Sequence, residues 1–125
     1  MKKILRRFVS CALACMIVSV IAMSAFAEGY LSMYHNISGG PTDTTDTCWI
    51  YKNTGNSYYA NCTTLTNSTA RVEGLNTTPD RVLSFSSTGR INFLATTYED
   101  TLKFEGKMTI KNYNNVAFAN ITIGA

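Results

Sequence analysis

From Leu102 to Ile110 apolar and polar side chains alternate: Leu102, Phe104, Met108 and Ile110 fall on one face, Lys103, Glu105, Lys107 and Thr109 on the other. A period of two belongs to a strand with one buried and one wet face. No window of helical length after residue 27 carries an i, i+3, i+4, i+7 apolar stripe. The chain from Glu28 onward therefore reads as all-β. Gly106 interrupts the apolar row, which marks a bulge or a close approach of another backbone.

The first 27 residues are of another kind. Lys2, Lys3, Arg6 and Arg7 precede an apolar run from Phe8 to Met23, followed by Ala25-Phe26-Ala27. A basic start, an apolar centre and small residues at −3 and −1 read as a helical signal peptide cleaved after Ala27. An uncleaved anchor competes, because the run is nearly long enough to span a bilayer of about 30 Å. Lipid modification at Cys15 ranks lowest, since Ala12-Leu13-Ala14 makes a loose lipid-attachment motif and the apolar run continues past it. On the favoured reading, residues 1–27 are removed and residues 28–125 form one secreted β-domain.

Removal of the leader changes the composition. Four of the eleven basic residues leave and all eight acidic ones stay, so a whole-chain charge of +3 becomes seven basic residues against eight acidic. A near-neutral domain with scattered Lys and Arg lacks the basic footprint of a nucleic-acid or anionic-membrane binder. Nucleic acid is excluded as a partner on this reading, and membrane contact is confined to export.

Two of the four cysteines leave as well, and Cys48 and Cys62 remain. Two thiols in an exported chain most simply pair. Their spacing is not Cys-x-x-Cys, so a metal or redox role is disfavoured. Three hairpins suggest themselves. Thr47 to Lys52 and Ser57 to Cys62 flank Asn53-Thr54-Gly55-Asn56, a register that puts Cys48 opposite Cys62 and gathers Trp49, Tyr51 and Tyr59 on the other face. Arg81 to Ser86 and Arg90 to Ala95 flank Ser87-Thr88-Gly89, aligning Leu83 and Phe85 with Ile91 and Phe93. Leu102 to Lys111 and Val116 to Ile123 flank Asn112 to Asn115, with Ile110 opposite Ala117 and Met108 opposite Ala119. With shorter candidates at Tyr30 to His35 and Thr69 to Leu75, the pattern predicts a small antiparallel β-sandwich or barrel of seven to eight strands.

Chemistry-bearing residues are few. His35 is the sole histidine, with no nucleophile motif beside it. Glu73, Glu99, Asp100 and Glu105 are candidate glycosidase carboxylates without informative spacing. Asp43 and Asp46 lie in a Thr-rich loop that lacks the alternating carboxylates of a calcium loop. No catalytic residue, metal or cofactor is expected. Asn36, Asn61, Asn67, Asn76 and Asn120 head Asn-x-Ser/Thr sequons, but the short Met-Lys-Lys leader looks bacterial and glycosylation is not expected.

Trp49, Tyr51 and Tyr59 are the candidate contact residues. They could offer a platform for a sugar or peptide, but the favoured reading of these three is cross-strand packing inside the sandwich. The function expected is therefore extracellular binding of a glycan, cell-wall component or protein, without catalysis. A bacteriocin-like antimicrobial is the alternative from another class, weakened by the absence of a basic amphipathic helix. A small hydrolase follows, with a thin acid–base inventory. Self-association is possible, since a long amphipathic strand such as Leu102 to Lys111 can pair edge to edge unless covered.

Overall fold

The computed structural model describes residues 28–37 and 42–125, so the expected signal peptide lies outside the described residues. Eight strands follow in order: β1 (Glu28–His35), β2 (Thr45–Tyr51), β3 (Ser57–Thr66), β4 (Ser68–Gly74), β5 (Val82–Phe85), β6 (Gly89–Leu94), β7 (Thr101–Ile110) and β8 (Ala117–Gly124). They form two four-stranded antiparallel sheets ordered β1-β8-β3-β6 and β2-β7-β4-β5. The described region is all-β and contains no helix.

The pairings β1 with β8, β2 with β7, β3 with β6 and β4 with β5 are those of one long antiparallel hairpin. Rolling it up adds β8 to β3 and β7 to β4. This is jelly-roll topology, a sandwich rather than a barrel.

All three expected hairpins are corrected by this topology. In β2/β3, β5/β6 and β7/β8 the two strands lie in opposite sheets, and each connection is an arch across the core. The face assignments hold nonetheless. Ile110, Ala117, Met108 and Ala119 are all buried, as are Leu83, Phe85 and Phe93. A two-residue period identifies which side chains point inward. It is silent on whether two inward rows joined by a turn sit side by side in one sheet or face to face across two.

The same correction separates the thiols. Cys48 sits on β2 at the edge of its sheet, against β1: a Cβ on Gly29 would lie 2.9 Å from its Sγ. Cys62 sits on β3, with β8 between β3 and β1. Two strand spacings are about 10 Å, beyond the Cα separation that a disulfide spans. Both cysteines are free and buried, and Cys62 Sγ donates to the Thr64 carbonyl at 3.6 Å. Burial, then the Asp46 carboxylate, pushes the Cys48 thiol up to about 12. Burial also raises Cys62. Both stay neutral and unreactive at physiological pH.

The core between the sheets is built on Phe104, Leu31, Met33, Ile50, Leu102, Ile121 and Ile123. Phe93 stacks on Tyr58 and meets Phe104 edge-on, both at 5.8 Å between ring centroids. Gly106 marks neither a bulge nor an approaching backbone: it is paired on both sides, and it makes room for side chains of the facing sheet, since a Cβ there would lie 3.0 Å from Leu31 Cδ1. The bulge lies instead in β3, between Cys62 and Thr64. Since β7 is hydrogen-bonded to β2 and β4, it offers no free edge for self-association.

Two sequon asparagines brace this frame. Asn67, at a φ of 51°, donates from Nδ2 to the Asn112 carbonyl at 2.7 Å and accepts the Asn112 N–H at 3.0 Å. Asn76 donates to the Thr101 carbonyl and accepts the Lys103 N–H, both at 2.8 Å. A glycan would take one of the two hydrogens of an Nδ2 that already holds a backbone carbonyl in each case.

Candidate functional site

Outward side chains of the two sheets form two separate surfaces, and the expected aromatic cluster is divided between them. Trp49 and Tyr51 stand on β2, on the outer face of the second sheet, while Tyr59 stands on β3, on the outer face of the first. Sequence reasoning joined them through a hairpin that does not form. The favoured reading of packing inside the sandwich is also corrected, because Trp49 is 61% and Tyr51 52% exposed.

On the second sheet, Trp49 and Tyr51 are two residues apart on one face, hence about 7 Å apart along the strand. Trp49 pairs across with Lys103 of β7, and Tyr51 with Thr101. Beyond Lys103 lies Leu75, itself exposed, whose N–H donates to the Lys103 carbonyl at 2.8 Å. Lys103 Nζ is 3.1 Å from Glu99 Oε2. That bond, then the lysine charge, lowers the Glu99 carboxyl from its ordinary value. An indole, a phenol, an aliphatic side chain and an ion pair thus share one open face. Large apolar surface left in water is the unusual feature, since single polar side chains are ordinary on any protein.

On the first sheet a tighter arrangement surrounds Tyr59. Its ring lies over Gly124, where a Cβ would meet the ring carbons at 2.7 and 2.8 Å, so only glycine permits this seat. Its hydroxyl donates to Glu28 Oε1 at 3.1 Å, and Tyr30 donates to Glu28 Oε2 at 2.9 Å. The Arg90 guanidinium carbon lies 4.0 Å from the centroid of the Tyr59 ring. Arg90 Nε donates to Asn92 Oδ1 at 3.0 Å. Hydrogen bonding to Glu28 leads the upward shift of the Tyr30 hydroxyl. Desolvation leads that of Tyr59, with Glu28 second. Glu28, Tyr30, Arg90 and Asn92 carry no motif or spacing in the sequence that marks them as site residues. Glu28 and Tyr59 are 31 positions apart, and only the β1-β8-β3-β6 order brings them together.

Of the candidate acid–base residues the structure brings Glu73 and Glu105 side by side and does not gather the others with them. His35 ends β1, with Nε2 2.9 Å from the Tyr113 carbonyl, Nδ1 3.3 Å from Thr42 Oγ1, and its ring edge-on to Tyr113. Glu73 and Glu105 are direct cross-strand neighbours on the second sheet's outer face, whereas Glu99 is held by Lys103. Asp100 accepts the Lys52 N–H through its backbone carbonyl. Asp46 accepts backbone N–H groups with both oxygens, from Ser32 at 2.8 Å and Thr47 at 2.9 Å. Asp43 bonds Tyr34 through its backbone.

No protein-family model matches the chain, and no curated protein does. Among solved structures it is similar to the CBM22-1 and GH10 modules of the N-terminal part of Clostridium thermocellum endo-1,4-β-D-xylanase 10B, complexed with xylohexaose. The TM-score is 0.25 at 10% identity, over 78% of this chain and 26% of the other. So slight a likeness carries no argument about the ligand.

Proposed function

We propose that this domain is exported with loss of residues 1–27 and acts outside the cytoplasm as a binding module, without catalysis. Its ligand is saccharide in character and rests on the Trp49–Tyr51 face. The observation that carries this reading is the pair of adjacent aromatic side chains on β2, each more than half exposed. Rigid aromatics give contact area at low entropic cost, and a sugar ring's C–H face packs against them while neighbouring polar groups take its hydroxyls. Here those groups are the Lys103–Glu99 pair.

Trp49 is the single tryptophan of the chain, so it reports on its own surface. A panel of cell-wall and plant-type oligosaccharides titrated into the protein should shift Trp49 emission for at least one member. Calorimetry with that member should show Trp49→Ala and Tyr51→Ala weakening binding by about 10- to 30-fold, the loss typical of an aromatic anchor. Binding that both variants leave unchanged, or no response to any saccharide, would refute the reading.

A further inference from the structure

The outer face of the first sheet carries a second, chemically distinct feature. A cleft of about 370 Å³ opens beside β3 and β6, lined by Ser57, Tyr59, Arg90, Asn92, Leu94 and Ala125 among others. Its volume lies at the low end of the range for small-molecule sites. That is room for about one or two sugar rings rather than a length of folded peptide.

Arg90 is the group that gives this cleft its chemistry. Tyr59 supports the guanidinium from below at 4.0 Å, and Asn92 holds its Nε at 3.0 Å. Tyr59 is itself fixed by Gly124 behind the ring and Glu28 at the hydroxyl. The guanidinium is thus positioned through two further residues, so little freedom remains to be lost when a ligand arrives. Among the described residues no carboxylate forms an ion pair with it, and its two terminal amino groups hold no hydrogen bond. Ala125 lines the same cleft without pairing to Arg90. A fixed guanidinium whose terminal donors are open matches a planar carboxylate, which accepts two parallel N–H bonds. The Asn92 amide and Ser57 hydroxyl beside it suit ring hydroxyls.

We propose that this cleft binds the carboxylate of an acidic saccharide, a uronic-acid unit, with Arg90 as the fork and Tyr59 as its positioning residue. The site lies on the sheet opposite Trp49 and does not rest on the Trp49–Tyr51 reading.

Short galacturonic-acid oligomers, neutral galactose oligomers of equal length and a glutamate-rich peptide of equal charge serve as probes for calorimetry on the full protein. The uronate should bind, more weakly as salt rises, and in preference to both controls. Arg90→Gln should remove at least tenfold of that affinity. Arg90→Lys should recover part of it, since an ammonium supplies charge without the fork. Tyr59→Phe should retain most of it and Tyr59→Ala should lose severalfold. Uronate binding should leave Trp49 emission unshifted, which separates this site from the other face. Equal binding by Arg90→Gln and the parent, no uronate binding at millimolar concentration, or preference for the acidic peptide or the neutral oligomer would each overturn the assignment. Arg90 is exposed, so its variants fold and the comparison stays readable.

Discussion

The sandwich has two open sides, one where β1 lies against β2 and one flanked by the edge strands β5 and β6, and the two seams are closed by parallel devices of opposite sign. Each has a backbone bridge at one end. Tyr34 and Asp43 exchange bonds of 2.8 and 3.0 Å at the first, and Thr78 and Thr96 exchange bonds of 2.8 and 2.9 Å at the second. Each also has one charged side chain satisfying an edge. At the first, Asp46 takes an N–H from β1 with one oxygen and from β2 with the other. At the second, Arg81 Nε gives a single bond of 2.7 Å to the Leu94 carbonyl.

The second seam stays the more open. Ala95 donates toward β3 at Asn56, so alternate residues Arg90 and Asn92 turn their N–H and C=O groups to the free edge. Gly74 likewise bonds Arg81, which leaves Val82 and Ser84 facing outward on β5. The core follows the same gradient: Leu31, Met33 and Ile50 are at most 1% exposed, whereas Leu83, Phe85 and Phe93 are 5–9% exposed. A carboxylate on the inward row of an edge strand protects that edge against a docking strand. The open seam relies instead on short strands, four residues in β5 and six in β6. The Arg90 cleft lies on that same side.

The largest test of the difference is a pair of matched truncations. Leu31→Ala at the closed seam should cost about 3–4 kcal/mol and Leu83→Ala at the open seam about 2, within the span for buried leucines and ordered by how well each site can collapse. Urea unfolding of both variants measures this, and a larger loss at Leu83 would break the comparison.

Alkaline pH should act next, and on the closed seam. Folding raises the Cys48 thiol to about 12, against about 8.5 in an unfolded chain. The stability it contributes is fully present below the unfolded value. It falls as pH climbs from there toward 12, because only the unfolded state releases the proton. Between pH 8.5 and pH 10 that amounts to roughly 1–2 kcal/mol. Unfolding curves of the parent should therefore decline more steeply over this window than those of Cys48→Ala. Equal slopes would show that the thiol is more open than the packing against Gly29 implies.

The closed seam also explains what could be read from residues alone. Strand existence and inward rows were legible, because alternation is a local property of backbone geometry. The gap at Gly106 in the Leu102–Ile110 row was legible too, but its cause, the Leu31 and Met33 side chains of the facing sheet, was not. Pairing was not legible, because a turn such as Asn53 to Asn56 joins two strands equally well as a hairpin or as an arch. That one ambiguity produced both the expected Cys48–Cys62 bond and the joining of Tyr59 to Trp49 and Tyr51. Asp46 looked like a solvated loop carboxylate for the same reason. Its partner Ser32 stands 14 positions away, in the other sheet. The Tyr59–Arg90–Asn92 arrangement needed the order of four strands before any of its residues had a reason to be chosen.

The smallest expected effect is the most discriminating between the seams. Asp46→Ala removes the acceptor of two edge N–H groups, one in each sheet, and should cost about 1–2 kcal/mol, the range for leaving a donor poorly satisfied. Arg81→Gln removes one bond to an exposed carbonyl that water can replace, and should cost under about 1 kcal/mol. Their second consequence differs in kind. Without the inward carboxylate, β1 presents an uncapped edge N–H at Ser32, so Asp46→Ala should sediment as larger species with rising concentration. Arg81→Gln should not, because the seam it serves already leaves its edges open in the parent. Monomeric Asp46→Ala at every concentration would show that the charge serves packing alone, and that the two seams differ in tightness rather than in protection against other chains.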